Sequence, residues 1–210
     1  MKIVTTEHTS MTIADKVRQI NWFLIFILTI LVCIGCAMLY SAAGASWDPW
    51  ASRQSIRFGC GLVILISVSL VDIRVWMRQA YIIYILVFVS LIAVEFLGVI
   101  GMGAQRWIDL GVFQFQPSEI MKVALVLALA RYFHSTSSED VGYLRVLLFP
   151  LLLVAAPVIL VLRQPDLGTA IILCLIASVV FFLAGVRIWK FGLLFGVGLG
   201  SLPVIWSFLH

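Results

Sequence analysis

Apolar runs long enough to cross a hydrocarbon core recur along the chain, separated by short polar breaks, and this pattern leaves few folds open. A helix needs about 20 apolar residues, within roughly 17 to 25, to span a bilayer. Seven such runs are readable: Trp22 to Ala42, Gln54 to Val71, Ala80 to Ile100, Ser118 to His134, Leu144 to Leu162, Leu167 to Val186 and Phe191 to Leu209. Composition agrees, with 63% hydrophobic and 11% charged residues and a mean hydropathy of +1.14. A soluble domain carries about 25% charged residues. The expected fold class is therefore an all-α polytopic membrane protein, with residues 1–21 as a cytoplasmic tail and 22–210 as a transmembrane helical bundle.

Lys and Arg in loops favour the cytoplasmic side. With the N-terminus inside, nine positive residues lie inward: Lys2, Lys16, Arg18, Arg74, Arg78, Arg131, Arg145, Arg187 and Lys190. Four lie outward, Arg53, Arg57, Arg106 and Arg163, and Lys122 falls within a span. This split favours a cytoplasmic N-terminus. The net charge of +4 calls for no nucleic acid. The N-terminal stretch lacks small residues at a cleavage site after a short apolar segment, so it reads as a tail and not a signal peptide.

Polarity within the spans gathers at the outward level. Arg106 and Asp109 lie in the loop before the fourth run, and Glu119 and Lys122 lie in its first turns. At 1.5 Å per residue, Lys122 sits only about 6 Å below the interface. Glu95 reaches a similar depth, and Arg163, Gln164 and Asp166 occupy the next outward hairpin. A lysine at the centre of a span costs about 2.5 to 3.5 kcal/mol on insertion scales, so such groups face a partner or a watery cavity. Two readings stand side by side. Glu119 and Lys122, three apart on one helix face, form a structural ion pair, with or without Glu95. Alternatively an anion enters from the outer leaflet and meets Lys122 or Arg106.

Other features carry less. The alternating "VFQFQP" suits the interface and ends on Pro117, a residue favoured at a first helical position. Trp107 reads equally as an interfacial aromatic or a substrate contact. Cys33 and Cys36 spell CxxC in mid-span without further ligands, which points to packing and not to metal. Gly192, Gly196 and Gly200 form a small-residue face, and His134 is interfacial. Pro150 and Pro157 predict kinks or local unwinding where neighbours satisfy the freed carbonyls.

Three stretches, "GAQRWIDLG", "FQPSEIMKVALVLALARYF" and "RQPDLGTAIIL", in this order and spacing, resemble the SEDS family of bacterial cell-wall polymerases that serve shape, elongation, division and sporulation. The resemblance runs from about Asn21 onward. "AQRW" and "GVRIWK" are more similar to the rod-shape elongation branch than to the division branch. It implies a fold of roughly ten membrane helices, of which this chain is the N-terminal part, in the bacterial cytoplasmic membrane. The implied activity is glycosyl transfer that polymerises lipid II, an undecaprenyl pyrophosphate-linked substrate, at the outer face of that membrane. The implied partner is a class B penicillin-binding transpeptidase. The substrate-binding set it implies is Arg106, Trp107, Glu119, Lys122, Gln164 and Asp166. Glu119 would hold Lys122, Arg106 and Lys122 would face pyrophosphate or the cavity wall, and Asp166 would either cap the sixth span or touch sugar. The family's catalytic aspartate is expected beyond His210, so none is assigned in this chain, and neither metal ligands nor a cofactor are assigned. A lipid flippase and a non-catalytic membrane scaffold are the alternative functions.

Overall fold

The computed structural model describes residues 13–101, 104–109, 114–137, 139–187 and 189. The chain forms two compact units, Met1–Ile73 and Arg74–His210.

The first unit holds α1 (Ile13–Gln19), α2 (Trp22–Ala42) and α3 (Trp50–Leu70). α1 lies within the segment 1–21 expected as the N-terminal tail. Lys16 Nζ donates to the carbonyl of Leu70 at 2.8 Å. The last carbonyls of a helix lack intrahelical partners and favour a cation, so this bond both caps α3 and anchors α1. Asn21 caps α2 by accepting from Leu24 N at 3.1 Å. Between α2 and α3, Cys36 Sγ lies 3.5 Å from Ser55 Oγ, while Cys33 is exposed. The buried thiol of the CxxC pair therefore sits at a helix contact.

The second unit holds α4 (Ile73–Leu97) from its second residue on, β1 (Val99–Gly101), β2 (Ala104–Asp109), β3 (Gln114–Phe115), α5 (Pro117–His134), α6 (Leu144–Arg163) and α7 (Leu167–Leu183). α3 starts at Trp50 rather than Gln54, and α4 starts at Ile73 rather than Ala80. Hydropathy misses these turns because interfacial polar residues remain helical while their charged ends reach water. α4 ends at Leu97, and Val99–Gly101 leaves the expected span as a strand. The expected run Phe191 to Leu209 and the Gly192, Gly196, Gly200 face lie outside the described residues. Among the described residues, α2, α3, α4 and α6 are long and apolar enough to cross a membrane. α7 has 17 residues, and α5 carries Glu119, Lys122 and Arg131 within its 18. The fold is that of an all-α polytopic membrane protein with one small antiparallel sheet, ordered β1-β2-β3, added to it.

The core of this unit centres on α5. Met121, Ala124, Leu125, Ala128 and Leu129 are all fully buried and repeat at i, i+3, i+4, i+7 and i+8. Alanines in that stripe let α6 and α7 approach closely. Leu91 of α4 and Leu173 of α7 belong to the same cluster. At the far end of α5, Arg131 Nη1 donates to Met77 O at 2.8 Å, and its guanidinium lies 5.9 Å from the Tyr81 ring centre. Both contacts tie α5 to the first turns of α4.

α6 runs from Leu144 to Arg163 through two buried prolines. Each proline lacks the N–H that would bond the carbonyl four residues earlier. The orphaned acceptors are therefore those of Val146 and Leu153. Tyr132 Oη donates to Val146 O and Tyr84 Oη to Leu153 O, each at 2.7 Å. The freed carbonyls are satisfied from α5 and α4, as a dry membrane interior requires. Tyr84→Phe is expected to cost about 1–2 kcal/mol by leaving a buried carbonyl bare. In a Pro157→Ala background the restored N–H should make that cost vanish, whereas Pro150→Ala should leave it unchanged. Thermal unfolding in detergent measures the cycle, with Tyr132→Phe and Pro150→Ala as the second matched pair. An equal cost of Tyr84→Phe in all three backgrounds would refute the pairing.

Candidate functional site

Residues singled out in the sequence lie at the end of α4, in the sheet, at the start of α5 and in the turn between α6 and α7. The sheet register positions the first of them. Val99 pairs with Trp107 and Ile100 with Gln105, so Arg106 is an extra residue in β2 with no partner in β1. Such a bulge bends the strand and re-aims a side chain. The Arg106 guanidinium is directed at the α6–α7 turn, where Nε donates to Gln164 O at 3.2 Å and Nη2 donates to Pro165 O. These carbonyls follow the last turn of α6, where acceptors are free and a cation is favoured. The same Nε lies 3.9 Å from Asp166 Oδ2.

Both turn residues are themselves committed. Gln164 is buried, and its Nε2 donates to Leu91 O at 3.1 Å, linking the turn to α4. Asp166 caps α7: Oδ1 accepts from Thr169 N at 3.1 Å and Oδ2 accepts from Thr169 Oγ1 at 2.8 Å. Of the two roles open for Asp166, the geometry takes the cap. Thr169, only 7% exposed, belongs to this cluster although it was not singled out. Its position three residues after an Asp that precedes an apolar run was the available signal.

α5 opens at Pro117, and its first two residues are buried. One turn on, Lys122 Nζ lies 2.8 Å from Glu119 Oε2, with side chains 22% and 54% exposed. This is the expected i,i+3 pair, without the contribution considered for Glu95. Glu95 Oε1 instead lies 3.5 Å from Arg163 Nε, at the end of α6. Arg106, Gln164 and Asp166 thus interlock, and Glu119 with Lys122 forms a second pair on α5, which packs against β2. Trp107, cross-strand from Val99, is half-buried.

Residues 19–210 match the sequence profile of the FtsW/RodA/SpoVE family, described as a cell cycle protein. The chain belongs to this family. As an FtsW/RodA/SpoVE protein it is a multi-pass protein of the bacterial cytoplasmic membrane. It is 34% identical over 210 residues to the peptidoglycan glycosyltransferase MrdB of Escherichia coli (strain K12), covering 98% of this chain and 55% of that relative. The rod shape determining protein RodA of Thermus thermophilus superimposes with a TM-score of 0.72 at 34% identity, over 88% of this chain and 59% of that one. A chain from a peptidoglycan synthase complex, solved for the structural coordination of polymerization and crosslinking, gives a TM-score of 0.76 at 32% identity, over 90% of this chain and 55% of that one. The chain spans about half the length of the curated relatives it matches.

Proposed function

We propose that this chain is part of a rod-elongation peptidoglycan glycosyltransferase that polymerises lipid II at the outer face of the cytoplasmic membrane, with its N-terminus in the cytoplasm. The observation that carries the reading is a pair of charged groups in the second unit: Arg106 on its bulge against the Gln164–Asp166 turn, and Glu119 with Lys122 on α5, the helix that packs against β2. These residues fall on the motifs that resemble the cell-wall polymerases, in a chain whose relative is named a peptidoglycan glycosyltransferase. A lipid-linked pyrophosphate is an anion, and a cation held near the interface can stabilise charge on it as it leaves.

Roles divide by how far each group is committed. Arg106, Gln164 and Asp166 build the wall of the site, because Arg106 is held by the turn carbonyls, Gln164 Nε2 by the carbonyl of Leu91 and Asp166 by Thr169. Lys122 is the cation offered to pyrophosphate, oriented by Glu119. Trp107 is a contact for the lipid-linked sugar. General-base chemistry is left to the catalytic aspartate that the family resemblance implies, and the residues here bind and position. A class B penicillin-binding transpeptidase is the proposed partner, in line with the solved complex that couples polymerization to crosslinking.

The test is purified protein of the relatives' full length, given lipid II in detergent, with products resolved on a gel. Glycan polymer formed without any other polymerase is the expected outcome. Lipid II that is carried across vesicle membranes but never polymerised would replace this reading with the flippase.

A further inference from the structure

The cations expected on the outward side differ sharply in what they touch. Arg106 is engaged by the α6–α7 turn, Lys122 by Glu119 and Arg163 by Glu95. Arg53 and Arg57 of α3 are exposed, and among the described residues their guanidinium groups have no hydrogen bond, ion pair or ring partner. They stand one helical turn apart on one face, an i,i+4 pair of like charge that opposes itself unless an anion lies between. α2 has no acidic residue to supply that anion. Ser55 and Phe58 line the space toward α2, and at 3.6 residues per turn Arg53 and Arg57 fall about 160–200° round the helix from Ser55.

Depth makes the pair costly in hydrocarbon. α3 is one of the helices able to cross a membrane. Trp47 and Trp50, 49% and 58% exposed, mark its interfacial end. Arg53 lies about 4.5 Å and Arg57 about 10.5 Å along the axis from Trp50. An arginine at such depth extends its head toward the interface, where lipid phosphate oxygens are the abundant anionic acceptors. Two planar guanidinium forks side by side suit phosphate oxygens, which they bond in pairs.

We propose that Arg53 and Arg57 form a binding site for the phosphate of a membrane lipid headgroup. The charge complementarity is direct, two cations without a partner among the described residues against an anion that the bilayer surface supplies. The phosphate is that of an anionic phospholipid or the pyrophosphate of the polymerase's lipid-linked substrate. Only the second source rests on the proposed function.

Native mass spectrometry of the full-length membrane protein tests this with two probes, dioleoylphosphatidylglycerol and farnesyl pyrophosphate. Arg53→Gln with Arg57→Gln should weaken retention of a probe by about tenfold, as expected when two charge-assisted contacts are lost. Arg53→Lys with Arg57→Lys keeps the charge without the fork and should fall between that variant and the wild type. Loss for both probes supports a general phosphate site. Loss for phosphatidylglycerol alone assigns a phospholipid, whether or not the protein polymerises glycan, and loss for the pyrophosphate alone assigns the substrate. Retention of both probes at the wild-type level in the double-Gln variant would overturn the site.

Discussion

Asp166→Ala is expected to destabilise the protein by about 2–4 kcal/mol, the sum of a lost helix cap and of hydrogen bonds to a charged group. The substitution removes the acceptor for Thr169 N and for Thr169 Oγ1, and Thr169 is buried. It also leaves the Arg106 guanidinium without its nearby carboxylate. Asp166→Asn separates the two losses. An amide oxygen can still cap α7 but carries no charge, so Asn should cost only about 1 kcal/mol. Thermal unfolding in detergent reads both variants. If Ala and Asn cost the same, the ion pair with Arg106 and not the cap holds the turn. If neither costs more than an exposed substitution, the interlocked turn is not a structural element at all.

The helices were legible because their cause is a single one, the length of apolar chain that a bilayer demands. α2 coincides with its expected bounds, Trp22 and Ala42, since Asn21 caps one end and Gly44, at φ +66°, breaks the other. α4 was less legible. Its first seven residues, "IRVWMRQ", read as a polar break although they continue the helix. The sheet was invisible for a different reason. β1 continues the apolar run of α4, and the bulge at Arg106 interrupts the alternation that would betray β2.

Within the site, what was legible is what lies close in sequence. The Glu119–Lys122 pair and the Asp166 cap follow from spacings of three. Arg106 was visible as a charge, but its partners lie 58 and 59 residues away and are main-chain carbonyls. A carbonyl carries no residue identity, so no sequence pattern announces it. The same applies to Gln164, whose side chain bonds the carbonyl of Leu91, and to Tyr84 and Tyr132, whose hydroxyls answer two prolines on another helix. The pairing of Glu95 with Arg163 also depended on where two helices end.

Lys122 is where structure and proposed chemistry separate most cleanly. Its pair with Glu119 is partly exposed, and such helix-surface pairs contribute only about 0.3–0.5 kcal/mol. Lys122→Ala should therefore leave the fold intact. If the ammonium faces a leaving pyrophosphate, its loss should slow polymerisation by about 100-fold, the effect of removing one preorganised charge-stabilising donor. Glu119→Gln should slow it less, because it orients the lysine without touching substrate.

The most direct measurement is the rate at which full-length wild-type and Lys122→Ala proteins polymerise purified lipid II, taken together with their unfolding temperatures. Polymer from the wild type, a rate about 100-fold lower for the variant and unfolding temperatures that agree are the expected results. A variant that polymerises at the wild-type rate would contradict them, because Lys122 would then be no more than half of a surface ion pair.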